Sequence, residues 1–253
     1  MPLTDSLVAF WELEESSGDR TDSVASIVLT DNNTVTSTTG KVGTCAQFTA
    51  ANSEYLSKTD IPALSMGDID FTVQVWAYFD SKSANQVLMC KYDNTIANSE
   101  YLLYYDSAAD RIKWTVYGAS GAGGTTIAAD TFGAINISTW YCVHAWHNAG
   151  TNTIGIAVNL TSDTTSHTTG TSDTTSDFVV GLLGGNVVWY MDGRLDQMGI
   201  WKRDVGSTDR SSLYNSGSGL SYAAMGSSNS PTTSDLVPQF LRGKRSRRMR
   251  RAS

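Results

Sequence analysis

The stretch WYMDGRLDQMGIWKRD, residues 189–204, sets three aspartates, two tryptophans and a tyrosine within sixteen residues. Carboxylates beside aromatic rings are the equipment of glycosidic-bond cleavage. One acid protonates the leaving oxygen, and a second, about 5 to 9 Å away, attacks the sugar or activates water. The same residues also suit a β-strand whose acids only accept hydrogen bonds. As a strand they sort by parity. Asp192, Arg194, Asp196, Met198 and Ile200 share one face; Leu195, Gln197, Gly199 and Trp201 share the other. Asp192-Gly193 then reads as a turn at the strand's start. This parity predicts Asp196 on the core face. A carboxylate there needs backbone N–H donors or an arginine such as Arg194.

Other residues compete for a chemical role. Glu12 and Glu14 share a strand face, with Glu15 beside them, but they end a strand where solvated turn acids are expected. His144 and His147 are three apart. That spacing makes a metal pair on a helix, whereas on a strand it points them to opposite faces. GASGAGG (118–124) is Gly-rich but opens no helix, so it reads as a loop rather than a phosphate cradle. Cys45, Cys90 and Cys142 are odd in number and irregular in spacing, which predicts buried thiols rather than a disulfide or zinc framework. Tyr101, Tyr104, Tyr105, Trp114, Tyr117 and Trp189 could stack on the apolar faces of sugar rings. Each competes with ordinary core packing, which consumes many aromatics.

The elements that would position these groups are strands. LVAFWEL (7–13), CAQFTA (45–50), EYLSK (54–58), FTVQVWAYF (71–79), NQVLMCKY (85–92), EYLLYYD (100–106), RIKWTVYG (111–118), WYCVHAWHN (140–148), TIGIAVNL (153–160) and FVVGLLGG (178–185) are short runs bounded by Asp, Asn, Gly and Ser. Several alternate with period two, the mark of a half-buried strand. In 71–79 the residues Phe71, Val73, Val75, Ala77 and Phe79 make one face, and Thr72, Gln74, Trp76 and Tyr78 the other. About a dozen such strands predict two stacked antiparallel sheets. Helical signal is confined to STDRSSLYNSG (207–217), with Ser207 or Thr208 as N-cap and Gly217 as stop. TSDTTS occurs twice within 161–177, which reads as an extended Thr-rich loop or sheet edge.

Composition supports this. Charged residues are 17% of the 253, and Thr, Ser and Gly are abundant, which favours strands and polar turns. The net charge of −7 is uneven. Arg242, Lys244, Arg245, Arg247, Arg248, Arg250 and Arg251 crowd the last twelve residues. Removing those seven from the 18 basic residues leaves 11 against 25 acidic ones, so residues 1–241 carry −14. An acidic body argues against nucleic acid binding by the main surface. The Ser/Gly-rich segment 217–235 reads as a linker after a domain spanning 1–216. Leu236, Val237 and Phe240 form an apolar island before the basic run, and residues 236–253 are expected to dock on an acidic protein surface or nucleic acid. The opening MPLTDSLVAFW lacks a basic segment followed by an apolar run, so no secretory signal is expected. No apolar stretch approaches a membrane span.

Five segments in order resemble the laminin-G-like jelly-roll domains of the concanavalin A-like lectin/glucanase superfamily. They are LVAFWELEESSGDRTDS, TGKVGTCAQFTAANSEYLS, DFTVQVWAYFD, STWYCVHAWHNAG and YMDGRLDQMGIWKRDVGSTDRSSLY, together covering about residues 7–216. The resemblance implies an all-β, two-sheet antiparallel sandwich with a short C-terminal helix, used for binding or adhesion. It also makes Trp76, Trp140, Asp192 and Asp196 structural marks of the fold. Glucanases of that superfamily carry Glu-x-Asp-x-x-Glu, and none of the five glutamates, Glu12, Glu14, Glu15, Glu54 and Glu100, sits in that pattern, so no enzyme activity is expected. Calcium is the one cofactor the family raises. Here its usual Asp-Gly positions read Thr49-Ala50-Ala51-Asn52 and Asn159-Leu160, and Asp68, Asp70, Asp106 and Asp110 have no calcium-loop spacing. Taken together, the sequence predicts a non-catalytic binding or adhesion module. A virion-surface protein of a phage, made in the host cytoplasm and docked to other virion proteins, is preferred. A secreted glycan-binding lectin is the alternative, a glycoside hydrolase of the same superfamily is a distant third, and an oligomer is compatible with these readings.

Overall fold

The computed structural model describes residues 1–227; the apolar and basic residues from Leu236 to Arg251 lie outside them. Sixteen strands run in chain order: β1 (Leu7–Trp11), β2 (Arg20–Thr21), β3 (Val28–Asn32), β4 (Thr36–Thr39), β5 (Thr44–Phe48), β6 (Tyr55–Lys58), β7 (Phe71–Phe79), β8 (Gln86–Lys91), β9 (Tyr101–Asp106), β10 (Arg111–Tyr117), β11 (Gly124–Ala128), β12 (Trp140–Asn148), β13 (Thr153–Val158), β14 (Thr161–Ser166), β15 (Phe178–Val180) and β16 (Gly193–Trp201). Two short helices come after them, α1 (Ser207–Tyr214) and α2 (Tyr222–Ser227). The first sheet has the order β14-β13-β12-β7-β16-β5-β4, with β1 also paired to β16. The second has the order β11-β10-β9-β8-β15-β6-β3-β2. The described pairings are antiparallel, as the resemblance implied.

Alternation builds the core between the sheets. Phe71, Val73, Val75, Ala77 and Phe79 of β7 all point inward, against Leu103, Ile112, Val116 and Val180 of the second sheet. Tyr101, Tyr105 and Trp114 belong to this core too and are wholly buried. Tyr101 and Trp114 lie 5.5 Å apart, and both pack on Phe71. This corrects the expectation that they offer stacking surfaces. Both faces of β9 are apolar, so its pattern could not say which face turns inward.

The first sheet's outer face is also buried. Thr72, Gln74 and Trp76 are at most 1% exposed although they point away from the core. The chain after β16 covers them. Tyr214 of α1 stacks on Trp76 at 5.7 Å, and the Arg210 guanidinium sits 4.0 Å from the Trp146 ring. Phe10, Trp201, Val205, Leu213 and Met225 form a second apolar cluster there, with Leu220 and Tyr222 against it. The domain therefore continues past residue 216: residues 220–225 belong to its packing, and a linker cannot begin at 217. α1 starts one residue earlier than expected, at an N-cap of Gly206, and Asn215 in the left-handed region closes it.

β16 departs from simple parity. Its register against β7 shifts between Asp196 and Gly199, and Gln197 adopts φ +46°. This bulge gives the strand one extra residue. Leu195, Met198 and Ile200 consequently all face the core. Asp196 lies across from Trp76 on the covered outer face, the reverse of the face that parity predicted.

The TSDTTS copies diverge. The first is β14, an edge strand with alternating exposure. The second, 171–176, crosses the end of the sandwich without strand pairing, and four of its six residues are buried.

Candidate functional site

Among the described residues, no α-helix lies on the outer face of the second sheet. Its strands present Val87, Cys90, Leu102 and Val179, with Leu182 and Leu183 beyond β15. Tyr55, Tyr92, Tyr104, Tyr117, Trp189 and Tyr190 pack on this floor and stay partly exposed. Tyr104 and Trp189 stack at 5.5 Å, and Tyr92 and Tyr117 lie 5.6 Å apart. Burial raises the phenol pKa values of Tyr92, Tyr104 and Tyr117 above the ordinary value, so all three remain neutral donors at physiological pH. Three of the aromatics expected from the sequence, Tyr104, Tyr117 and Trp189, therefore meet on one surface, while Tyr101 and Trp114 do not.

A groove of about 610 Å³ opens on this face. Tyr55, Tyr92, Val179 and Leu182 give it apolar and aromatic surface, and Asp93, Asn98, Asn186 and Asp177 give it polar edges. Sequence reasoning named none of these. Tyr55 and Val179 stand on β6 and β15, and the others come from loops and segments without strand structure, where periodicity is silent. The visible signal is Gly184-Gly185. A Cβ on Gly184 would run into the Tyr92 carbonyl oxygen, and Gly185, at φ +66°, rides equally close on the Asp93 backbone. The pair lets the 184–187 loop sit directly on the 92–93 backbone and close one side of the groove.

The opposite wall is the second TSDTTS segment, and it is pinned. The buried Lys91 ammonium reaches Asp60 Oδ1 at 2.6 Å and Glu100 Oε1 at 3.2 Å, and donates to the carbonyls of Thr174 (3.1 Å) and Ser176 (2.7 Å). Glu100, also buried, accepts from the N–H groups of Thr174 (2.9 Å) and Met66 (2.8 Å). Burial pushes the Glu100 carboxyl up, and the Lys91 charge and the two N–H groups pull it back. Asn98 ties the two sides together, donating to Asp93 and accepting from Thr175 N at 3.0 Å. By contrast, the hydroxyls of Tyr55 and Tyr92 and the amide of Asn186 make no side-chain hydrogen bond among the described residues.

The remaining expected groups serve the scaffold. Asp196 Oδ2 accepts from the N–H groups of Lys41 (2.7 Å) and Val42 (2.9 Å), holding the β4–β5 turn over the covered face. Burial lifts its carboxyl to about 7, against the pull of those two N–H groups. Arg194 does not pair with it; the guanidinium donates to Gln47 and lies 4.4 Å from the Tyr78 ring, which in turn meets Trp140 at 5.4 Å. Asp192 approaches Ala50 N at 3.4 Å. Glu12, Glu14 and Glu15 line a shallow cleft of about 310 Å³. Each of their carboxylates already accepts a backbone N–H, from Tyr222, Thr44 and Thr21 respectively. His144, wholly buried, is pushed by burial down to about 3, and it stands on the opposite face of β12 from His147, which packs on Phe71 and His167. Cys45, Cys90 and Cys142 are buried free thiols.

The aspartates weighed for calcium are dispersed. Asp106 pairs with Lys113 and Asp110 with Lys82, each at 2.6 Å, while Asp70 accepts from Ala149 N. Among the described residues no three His, Cys, Asp or Glu side chains converge on a cation position, so the residues present do not fit a resident calcium ion. No helix among the described residues is long and apolar enough to cross a membrane.

Comparison with known proteins places this geometry. The chain is similar to the binding domain of paraclostridial mosquitocidal protein 1, with a TM-score of 0.67 and 17% identity over 85% of this chain and 53% of that one. It is similar to domain 4 of AbnA, a GH43 extracellular arabinanase from Geobacillus stearothermophilus, solved in complex with arabinotriose (TM-score 0.60, 12% identity, 82% of this chain and 97% of that one). A third likeness is the binding domain of botulinum neurotoxin DC in complex with SialylT (TM-score 0.59, 11% identity, 85% and 52%). The chain thus spans about half the length of the toxin binding domains it matches. At these identities the likeness is one of fold. No curated protein matches the sequence. Residues 51–209, well over half of the chain, match the family model described as concanavalin A-like lectin/glucanases superfamily, and the chain belongs to that superfamily.

Proposed function

We propose that the chain is a non-catalytic, carbohydrate-binding lectin-like domain whose ligand site is the groove on the outer face of the second sheet. The observation that carries this reading is the pairing of aromatic surface with unused polar groups in one concavity. The ring faces of Tyr92 and Tyr55 suit the C–H faces of a pyranose. The Asn186 amide and the two tyrosine hydroxyls are free to bond sugar hydroxyls. The groove's volume falls within the range of small-molecule sites. Two structural neighbours were solved with a glycan bound, which supports the reading by analogy of fold only.

Catalysis is not part of the proposal. Glu12, Glu14 and Glu15 are engaged as backbone acceptors, and the groove's acids, Asp93 and Asp177, lie in walls stapled by hydrogen bonds. The finer role, adhesion from a virion surface, remains our proposal: an uncovered glycan groove suits a displayed adhesion module. Detecting the protein in purified particles tests that role.

Binding itself is tested on a glycan array with the full chain, followed by titration of any ligand against Tyr92→Ala and Asn186→Ala. A loss of at least about tenfold in each folded variant is expected, as for a stacking or hydrogen-bonding contact. An array without ligands, or ligands indifferent to both variants, overturns the site.

A further inference from the structure

We propose that this groove selects uncharged glycans and rejects those bearing a carboxylate or sulfate. The inference rests on the glycan reading of the groove and adds the ligand's charge class. Among the residues that line the groove, the ionisable acids are Asp93 and Asp177, and no lysine, arginine or histidine is present. Recognition of an anionic sugar calls for a guanidinium fork, an ammonium or a converging set of N–H donors.

Among the described residues, the two lysines on the strands beside the groove, Lys91 and Lys58, are turned elsewhere. Lys91 is wholly buried and already shared among Asp60, Glu100 and two carbonyls. Its two carboxylate partners outnumber its charge, so that cluster adds negative rather than positive potential beneath the wall. Lys58 follows Tyr55 and Ser57 on β6 but has the parity of Leu56, which faces the core.

The acids are held in place. Burial pulls the Asp93 carboxyl up, but hydrogen bonds from Asn98 and Thr95 outweigh it and leave the group ionised well into acid. Asp177 is exposed on the other wall and accepts only Asp60 N, at 3.3 Å. A ligand lying between them meets a negative charge on each side. Its hydroxyls can donate to these carboxylates, whereas an added anionic group is repelled by both. The chain's net charge of −7 adds to this at long range.

The test is a matched pair, a neutral oligosaccharide found on the array and its sialylated or uronate counterpart, titrated at low and high salt. The neutral member should bind about tenfold or more tightly at low salt. The gap should shrink in about 0.5 M salt, where the Debye length falls to about 4 Å. Asp177→Asn should narrow the gap, read as the ratio of the two members' affinities in the same variant, by strengthening the charged member's binding relative to the neutral member's. If both members bind wild type equally, the charge class is wrong while the site stands. A gap that survives both Asp177→Asn and high salt refutes charge as its cause. Binding of neither member to a folded chain removes the site and this inference with it.

Discussion

The two outer faces of the sandwich begin from the same kind of strand and end differently. On the first sheet, Trp76, Trp146 and Trp201 point outward, and the chain after β16 closes over them with Arg210, Leu213, Tyr214 and Met225. On the second, Tyr55, Tyr92, Tyr104 and Trp189 point outward, and among the described residues nothing lies over them but their own neighbours. One face spends its aromatics on stability and the other leaves them for contact. The difference teaches that an outward aromatic on a strand is not itself a binding signal. Whether it is covered depends on where the later segments of the chain pack.

Ways to break that contrast rank by expected effect. Trp201→Ala, on the covered face, opens a cavity beneath Phe10 and Leu213 and should cost about 3–5 kcal/mol in denaturant unfolding. Lys91→Ala, under the open groove, strands the buried Glu100 carboxylate and should also cost about 3–5 kcal/mol. Lys91→Met with Glu100→Gln should recover much of that loss, a coupling a double-mutant cycle measures. Asp196→Ala leaves the Lys41 and Val42 N–H groups without their acceptor and should cost about 2 kcal/mol.

Asp196 also carries a pH signature. Burial lifts its carboxyl from the ordinary range to about 7 in the folded chain. Between about pH 4 and 7 the folded state therefore holds a proton that the unfolded chain has released. The group's contribution favours folding most below that window and fades as pH rises through 7. Asp196→Asn should flatten this slope, so wild type should lose more melting temperature than the variant between pH 5 and pH 8. Equal losses would show that the carboxyl is ionised throughout. The smallest stability effects belong to the open face. Trp189→Ala should shift stability by about 1 kcal/mol, and Val187→Ser, at a position 80% exposed, by no more than about 0.5 kcal/mol. A large destabilisation from Val187→Ser would mean that the open face is structural after all.

Much of this was legible in the residues. FTVQVWAYF and WYCVHAWHN became β7 and β12 with the predicted bounds, because each is a nine-residue run rich in β-branched and aromatic residues and free of Gly and Pro. The edges were legible only in part: 161–177 read as a Thr-rich loop or sheet edge and its first copy is the edge strand β14, whereas β4 left no signal. β4 and β14 are threonine- and serine-rich with little apolar contrast, so their pairing depends on neighbours rather than on pattern. β16 misled because one residue, Gln197, changes parity midway, and a bulge leaves no compositional mark. The groove was the least legible part. Tyr104, Tyr117 and Trp189 were visible as aromatics and share its face but do not line it; Tyr92, Asn98 and Asn186 do, brought together by loops whose course is set by Gly184-Gly185 and by the Lys91 cluster.

The covered face also gathers the first residues and the last described helix. Trp201 Nε1 donates to Leu3 O at 2.7 Å, Arg203 Nε donates to Asp5 O at 2.9 Å, and Leu3 shares an apolar cluster with Met225. The first residues and the last described helix thus leave from one side, with the groove on the other. Whatever is joined ahead of the first residues, another module or an immobilisation tag, becomes a handle at the rear, and the groove faces forward into solution. A surface coated with the chain through its N-terminus would display its grooves outward.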